Sequence, residues 1–260
     1  MKYLVVEAHP DDLVFFCGGA IARLIAEGHE SAVLTVTDGE QGTLNPAFDT
    51  AEKLAEVMRQ AHRRALACLN STEGKVLGAK QHVLPPDHAL REKITRPIRA
   101  VQPEAVFSFD PWNFAANPDH RAVGLMTLEA CSFAHMHLFH PEHMQEGRST
   151  AIVAKVIQLK TPNSNTDLAI SATVAKKSEP ALAYESQVEL LKEAGRRRLA
   201  VLGRQHPIFE GPFNQGVAQI LRQLAAENGK AAGLPAAEAF RVCGLGILEN
   251  ARAVVGELGI

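Results

Sequence analysis

An apolar segment near the start of the chain runs directly into a histidine, a proline and two adjacent aspartates. Tyr3 to Val6 is typical of a buried strand, and Pro10 ends it because proline has no N–H to donate to a neighbouring strand. His9, Asp11 and Asp12 therefore follow the carboxyl end of a strand. In open α/β sheets, ligands bind at that edge, beside the start of the next helix. This one segment indicates both the fold class and the position of a site.

His9 and Asp12 can both face a divalent metal ion, one through a ring nitrogen and the other through a carboxylate oxygen. Asp11 would then lie close to the ion without binding it, which is where a general base for metal-bound water belongs. A second explanation needs no metal. Asp11 and Asp12 can cap the helix that begins near Leu13, since carboxylates are favourable at a helix N-terminus.

A second polar cluster, Asn117 to His120, follows another strand-like run, Ala105 to Phe109. A catalytic zinc takes about three protein ligands and a water molecule, and His120 would complete such a set with His9 and Asp12. Asp119 would then support a ligand from outside the coordination sphere or cap a helix. Two strand ends therefore carry residues suited to one metal site.

At these two clusters the chain resembles the PIG-L or LmbE-like zinc-dependent N-acetylglucosamine deacetylases. The paired signatures of that family are Ala-His-Pro-Asp-Asp near the N-terminus and Pro-Asp-His further on, here Ala8 to Asp12 and Pro118 to His120. Further similar landmarks are spread over nearly the whole chain. They are Thr37 to Gly42, Arg59, Ala183 to Gln187 and Ala237 to Arg241.

The resemblance implies a hydrolase that removes an acyl group, expected to be acetyl, from an amino sugar or its conjugate. One Zn²⁺ per chain would be held by His9, Asp12 and His120, with metal-bound water as the nucleophile. Asp11 would be the general base, and Asp119 would lie in the second shell of the metal. The expected partner is a small N-acylated amino sugar, and a homo-oligomer is left open. Residues expected to contact substrate are Arg59, Glu40 and Tyr184.

Three positions depart from the family pattern. Asn117 stands where the family often carries histidine; asparagine can donate a hydrogen bond to an oxyanion but cannot titrate. We therefore predict a catalytic role for Asn117 as a neutral donor, with Asp11 making both proton transfers. The family usually has an acidic residue close after the arginine, whereas Arg59 is followed by Gln60, Ala61 and His62; we expect His62 to face solvent. Tyr184 stands where the family tends to carry histidine.

Two other functions remain open at this point. One is a zinc amidase of the same fold that acts on a larger sugar conjugate. The other is a non-catalytic or magnesium-dependent sugar-phosphate binding protein, with Asp11 and Asp12 as oxygen ligands and Gly18-Gly19 facing a phosphate. Magnesium prefers oxygen ligands, so two central histidines argue against it. Gly18-Gly19 lacks a phosphate-binding motif and fits close packing of a helix on the sheet better.

Composition excludes several classes of protein. The chain has 260 residues, 46% of them hydrophobic and 22% charged, with a formal net charge of -2, which argues against nucleic acid as the main partner. No uncharged run approaches a membrane span, and too few apolar residues follow Lys2 for a signal peptide. We expect four buried free thiols and a cytoplasmic location. The cysteines are Cys17, Cys68, Cys131 and Cys243.

Strands alternate with helices along the first half of the chain, which predicts an α/β fold: a Rossmann-like three-layer fold with a mostly parallel sheet and a C-terminal capping region. We predict one domain over residues 1–260, with the metal site in a core of about 1–135 and further strands and helices over about 150–250. Pro180 to Gly203 should be one long helix, and the last third should only cap the sheet. Four histidines form a dense group that we expect at the rim or surface, without a second metal. They are His135, His137, His140 and His143.

Overall fold

The computed structural model describes residues 1–113 and 117–245. The glycine-punctuated tail after Leu245 lies outside the described residues. The strands are β1 (Lys2–Glu7), β2 (Glu30–Thr37), β3 (Thr72–Ala79), β4 (Ala105–Phe109), β5 (Lys155–Leu159), β6 (Thr166–Ala169) and β7 (Ala237–Gly244). The helices are α1 (Asp12–Ala26), α2 (Ala51–Leu69), α3 (His88–Val101), α4 (Pro118–Phe133), α5 (Glu142–Gln145), α6 (Val174–Ala181), α7 (Glu185–Val201) and α8 (Phe213–Ala231).

The strands form one sheet of seven in the order β3-β2-β1-β4-β5-β7-β6. The first five strands of this order are parallel to their neighbours, and β7 runs antiparallel between β5 and β6. The predicted fold class, a Rossmann-like α/β fold with a mostly parallel sheet, is therefore confirmed. The order reverses between β1 and β4, so their carboxyl ends open a crevice of the kind that binds ligands in α/β proteins.

Helices cover both faces of the sheet. α3 and α4 pack together and contact β1, while α1, α2 and α6 contact one another on the other face. Being covered on both faces, the central strands β1 and β4 are mainly apolar, and Val5, Val6 and Val106 are fully buried. This double burial explains why both strands appear in the sequence as largely apolar runs.

Two glycines let helices approach the sheet and its neighbours closely. A Cβ on Gly19 would lie 2.7 Å from Cδ1 of Ile170, which confirms that Gly18-Gly19 serves packing. A Cβ on Gly124 would lie 2.4 Å from the carbonyl oxygen of Phe109. Because α4 can therefore lie directly on β4, its first turn reaches the carboxyl end of that strand.

The segment from Pro180 to Gly203 is not one helix. α6 ends at Ala181 and α7 begins at Glu185, with Tyr184 between them at φ -91° and ψ 63°. Leu182 and Tyr184 close turns onto Glu179 and Ala181 through their N–H groups. The break carries the Tyr184 side chain into the core, a tertiary demand that helical periodicity does not reveal.

The prediction that the last third of the chain only caps the sheet is wrong. Its strand β7 is inserted in the sheet, and Glu238, near the start of β7, is buried. The Glu238 carboxylate pairs with Lys177 at 2.7 Å and accepts hydrogen bonds from the backbone N–H groups of Gly19 and Ala20 at 3.2 and 2.7 Å. The C-terminal strand therefore holds α1, the helix that begins at Asp12.

Among the described residues no helix combines the length and apolar character needed to cross a membrane. All four cysteines are free thiols. Cys17 and Cys131 are buried, as expected, but Cys68 is exposed and Cys243 is half-buried, so the prediction of four buried thiols is wrong for these two.

Candidate active site

His9, Asp12 and His120 meet at the crevice between β1 and β4. His9 Nδ1 lies 3.1 Å from His120 Nε2, and Asp12 Oδ1 lies 3.1 Å from the same His120 nitrogen. Asp12 Oδ2 lies 3.3 Å from His9 Nδ1. The three side chains are almost fully buried, between 4% and 6% exposed. They form a group able to hold a metal ion, as the two motifs predict.

Backbone hydrogen bonds fix the Asp12 carboxylate. Its Oδ2 accepts from the N–H groups of Ala8 and His9 at 3.1 and 2.8 Å, which leaves Oδ1 directed at His120. Burial opposes ionisation, but His120 and His9 hold the pKa of Asp12 well below its usual range. Asp12 is therefore charged and oriented toward the two histidines, as a candidate metal ligand should be.

Aromatic packing fixes the His120 ring. Phe109 stacks on it at 3.9 Å between ring centroids with an interplanar angle of 7°, and Phe16 meets it edge-on at 5.9 Å. His120 Nδ1 is buried without a hydrogen-bond partner among the described residues. The ring is thus held by contacts on its face and edge, with Nε2 turned toward His9 and Asp12.

Asp119 supports the other imidazole. Its Oδ2 lies 3.2 Å from His9 Nε2 and accepts the backbone N–H of His82 at 2.8 Å. A carboxylate on the distal nitrogen of a metal-binding histidine fixes the tautomer and the ring orientation. Burial alone would lower the pKa of His9, yet Asp12 and Asp119 raise it to about 10. A metal ion would compete with that proton for the Nδ1 lone pair.

The donor set fits zinc. In a tetrahedral site with bonds of about 2.0–2.1 Å, ligand atoms are about 3.3 Å apart. Here His120 Nε2 lies 3.1 Å from both His9 Nδ1 and Asp12 Oδ1, and one ligand atom from each of the three residues lies within 4.8 Å of the other two. Two nitrogens and one carboxylate oxygen match catalytic zinc sites that keep one position open. Among residues 1–113 and 117–245, neither lysine nor arginine forms an ion pair with the triad.

Asp11 lies beside the triad but takes no part in it. It is the residue before α1, yet its side chain makes no capping hydrogen bond, which counts against the capping explanation. Its carboxyl lines a cavity of about 330 Å³ in front of the triad. Burial, with Asp12 beside it, raises the pKa of Asp11 to about 6, closer to neutrality than that of an ordinary aspartate.

Asn117 lines the same cavity and also begins α4. Its Oδ1 accepts the backbone N–H of Asp119 at 2.9 Å, so the side chain caps the helix. The amide nitrogen Nδ2 is then the atom that can donate to a bound ligand. The geometry is compatible with both parts of the sequence analysis: the residue turns the chain ahead of Pro118, and it presents a neutral donor to the cavity.

The loop after β2 overhangs the cavity, as its place in the sequence suggests. Gly39, Gln41, Gly42 and Thr43 contribute to the lining. Glu40 does not; its Oε1 accepts the backbone N–H of Gln81 at 2.9 Å, and its Oε2 is buried without a partner among the described residues. Glu40 therefore ties this loop to the segment after β3, and a contact with substrate remains a prediction.

Arg59 lies on α2 and pairs with acidic neighbours. Its guanidinium lies 2.9 Å from Glu56 and 3.6 Å from Asp38, and its side chain is 37% exposed. It is not among the described residues that line the cavity. A role for Arg59 in substrate binding remains a prediction, one that requires the side chain to leave these carboxylates.

Tyr184 and His62 are not where the sequence places them. Tyr184 is fully buried, and its hydroxyl donates to the carbonyl of Pro10, so the prediction of a substrate contact is corrected. His62 is 2% exposed rather than at the surface, and its Nδ1 lies 2.7 Å from the same carbonyl. Burial lowers the pKa of His62 to about 4, so the imidazole is neutral and can donate one hydrogen bond there. Both side chains hold the turn that carries His9 and Asp12.

Two polar residues of the cavity, Gln81 and His82, escape the sequence analysis. Both follow β3, and their position could have been predicted because the carboxyl ends of parallel strands meet at one edge of the sheet. Gln187, in the first turn of α7, ends the landmark Ala183 to Gln187 but was not predicted to line the site. It reaches the cavity through the break between α6 and α7.

Of the later histidines, His143 is fully buried and not at the rim. Its Nδ1 lies 3.1 Å from Nη1 of Arg99 and its Nε2 lies 2.9 Å from Glu92, while Glu142 is close enough to form a second possible metal group. Arg96 also pairs with Glu92 at 2.7 Å. Two guanidinium groups therefore already occupy the positions that a cation would take.

The protein therefore has an α/β fold with a group of side chains that could hold a metal ion at the edge of its sheet. Comparison with known proteins gives the family that this combination resembles. The sequence profile described as PIG-L: GlcNAc-PI de-N-acetylase matches residues 4–131. These residues carry all three candidate ligands, and over them the chain matches the PIG-L family.

Similarity to individual proteins extends beyond that region. The chain is 29% identical over 187 residues to diacetylchitobiose deacetylase of Thermococcus kodakarensis, covering 72% of this chain and 70% of the relative. It is 30% identical over 165 residues to 1D-myo-inositol 2-acetamido-2-deoxy-alpha-D-glucopyranoside deacetylase of Actinosynnema mirum, covering 54% of this chain and 58% of that relative. The structure of N,N'-diacetylchitobiose deacetylase from Pyrococcus horikoshii superposes with a TM-score of 0.79 at 25% identity, covering 94% of this chain and 84% of that one.

Proposed function

We propose that this protein is a zinc-dependent hydrolase that removes an acyl group from the nitrogen of an amino sugar. The observation that carries the proposal is the buried triad of His9, Asp12 and His120, with Asp11, which is not a member of the triad, beside it at a cavity. An oriented ligand set next to a separate carboxylate supplies the two functions that amide hydrolysis requires, a site for an electrophilic metal and a base.

Bound zinc would supply a Lewis acid that polarises the amide carbonyl and lowers the pKa of water. Asp11 takes a proton from the attacking water as the new C–O bond forms. It then passes that proton to the nitrogen as the C–N bond breaks, so that a carboxylic acid and a free amine leave, and the acid loses its proton to solvent. Asn117 Nδ2 donates to the oxygen on which negative charge develops.

The amino sugar is supported by two findings. The two relatives named above with a catalogued activity act, by their names, on acetylated amino sugars. The cavity in front of the triad is also lined by side chains that can donate and accept hydrogen bonds, as sugar hydroxyl groups require. These are Gln41, Thr43, Gln81, His82 and Gln187.

The magnesium-dependent alternative is poorly supported. Two of the three donors are imidazole nitrogens, whereas magnesium prefers oxygen. The space beside Gly18-Gly19 is filled by Lys177 and Ile170, and Lys177 is paired with Glu238, so this segment is not open to a phosphate. A larger sugar conjugate remains compatible with the site and is distinguished only by the choice of substrates.

The experiment is release of acetate from N-acetylglucosamine and diacetylchitobiose by the purified protein. We expect hydrolysis that a chelator abolishes and that zinc, but not magnesium, restores. The Asp11→Asn variant serves as the matched control, because it should bind zinc without turning substrate over. Hydrolysis that survives metal removal, or that magnesium alone restores, would contradict the proposal.

Two further points belong to this proposal. We infer that the chain acts as one domain, supported by β7 lying within the same sheet as β1 and by its contacts with α1. We also infer a reducing, cytoplasmic setting, supported by four free thiols.

A further inference from the structure

A second and larger cavity adjoins the metal site. It has a volume of about 560 Å³ and is bordered by α1, α7, α8 and the loop after β5. Asp11, Asp12 and Gln187 line both this groove and the smaller cavity, so the two spaces meet at the catalytic carboxylates. The groove is therefore continuous with the site where the amide bond must lie.

The walls of this groove are mainly apolar. Phe16 forms its inner end, where the ring contacts the ligand His120 edge-on. Leu191 and Leu224 lie at the groove on α7 and α8 and are 45% and 55% exposed, so large apolar side chains are left open to water there. Further apolar wall residues are Phe15, Phe209 and Ile220.

Apart from Asp11 and Asp12, at the end shared with the smaller cavity, the charged side chains of the groove already have partners within the protein. Lys177 pairs with Glu238 at 2.7 Å, and the ammonium group of Lys160 lies 4.8 Å from the centre of the Phe16 ring. These contacts leave a surface that suits a neutral chain better than an anion.

We propose that this groove holds the acyl chain of the substrate and that the preferred chain is longer than acetyl. The inference rests on the proposed function. The amide bond joins an amino sugar to an acyl group. Because the polar cavity suits the amino sugar, the acyl group would extend into the groove. A two-carbon acyl group would leave most of about 560 Å³ unfilled, and the volume lies within the usual range of ligand pockets, about 300–1,000 Å³.

Burial of a methylene group favours binding by a factor of about four. Hydrolysis should therefore accelerate along the series of N-acetyl-, N-butanoyl-, N-hexanoyl- and N-octanoylglucosamine, measured as glucosamine released by the zinc-loaded protein. We expect kcat/KM to rise by about 10²-fold or more from acetyl to octanoyl. All substrates are kept below their micelle-forming concentrations.

Moving the alkyl chain to the other side of the amide bond tests which end of the substrate enters the groove. Octyl N-acetylglucosaminide places eight carbons on the sugar side of the amide instead of the acyl side. The inference predicts no gain over N-acetylglucosamine for this compound. A gain equal to that of the octanoyl amide would overturn the assignment and place a glycoside chain in the groove.

Two variants on α8 test whether the preference for long acyl chains depends on the groove. Leu224→Glu should lower the ratio of octanoyl to acetyl kcat/KM about tenfold, because a carboxylate enters the apolar wall. Gln223→Glu adds the same charge at the exposed neighbouring residue and should leave both rates unchanged. If Leu224→Glu alters the sedimenting mass of the protein but not this ratio, the groove is an interface between copies and the inference is wrong.

Failure of this inference can be told apart from failure of the proposed function. If acetyl is released and longer acyl groups are cleaved no faster, the groove assignment fails while deacetylation stands. If no N-acylglucosamine is hydrolysed by zinc-loaded protein, both are overturned.

Discussion

Two groups of histidine and carboxylate side chains in this protein have nearly the same composition and different surroundings. The triad of His9, Asp12 and His120 lies at the carboxyl ends of β1 and β4, and its lone pairs face one another. In the second group, His143 lies between Glu92 on one side and Arg99 on the other. Residue types alone do not define a metal site.

The difference lies in which charges neutralise the carboxylates. Arg99 donates to four backbone carbonyls as well as contacting His143, so the second group binds the segment after α4 to α3. Arg96 neutralises Glu92 and Glu146. Among the described residues the triad's carboxylate has imidazole nitrogens and backbone N–H groups beside it but no guanidinium, so a metal ion could take the place of the proton on His9.

The largest expected effect comes from removing one histidine of each group. His120→Ala should lose zinc and all measurable hydrolysis, since it removes one of three ligands. His143→Ala should keep the full zinc content, measured by elemental analysis of the purified protein. Loss of zinc from the His143 variant would show that the two groups are not distinct in function.

Asp11→Asn tests whether Asp11 is the general base and Asp12 the metal ligand. The variant should retain zinc, while kcat falls by about 10²-fold or more, the usual scale for a general base. Asp12→Asn should instead lose zinc. A metal-free Asp11 variant beside a zinc-containing Asp12 variant would mean that the two roles are reversed.

Asn117 requires a pair of substitutions because it both caps α4 and faces the cavity. Asn117→Ser keeps a capping oxygen and removes the amide donor, so kcat should fall by about 10²-fold with zinc content unchanged. Asn117→His should add an ionisation near neutral pH to the rate profile. If the serine variant retains full turnover, Asn117 only caps the helix.

The smallest effect on catalysis is expected in the second group. Arg99→Lys removes the guanidinium fork from buried carbonyls and should lower the free energy of unfolding by about 2 kcal/mol or more, measured in urea. Arg96→Lys, at a partly exposed pair, should cost less than about 1 kcal/mol. Both should hydrolyse substrate at the normal rate; slower hydrolysis by Arg99→Lys would connect this group to the site.

The sequence predicts the triad because strand order determines where chain segments meet. His9 and His120 follow β1 and β4, which are neighbours in the sheet, so local pattern and fold class together were sufficient. The burial of Tyr184 and His62 could not be predicted in this way. Both depend on the carbonyl of Pro10, from which they are separated by 174 and 52 residues.

The position of β7 in the sheet could not be predicted from the local sequence either. The insertion of its eight residues between β5 and β6 depends on pairing with segments that are distant in the chain. The buried pair of Lys177 and Glu238 shows the same limit. A charged residue in the sequence suggests exposure until its partner is known.

Glu238 also bears on how the site is assembled during synthesis. The candidate ligands His9 and Asp12 are made well before the carboxylate that holds α1, which follows its partners Gly19 and Ala20 by 219 and 218 residues. A nascent chain can form β1 and α1 before β7, since proteins fold from the N-terminus as they emerge. The hydrogen bonds that hold the helix starting at Asp12 form only when β7 has joined the sheet. The candidate ligands are therefore encoded before the residue that fixes their helix, and the rigidity of the site is acquired after them.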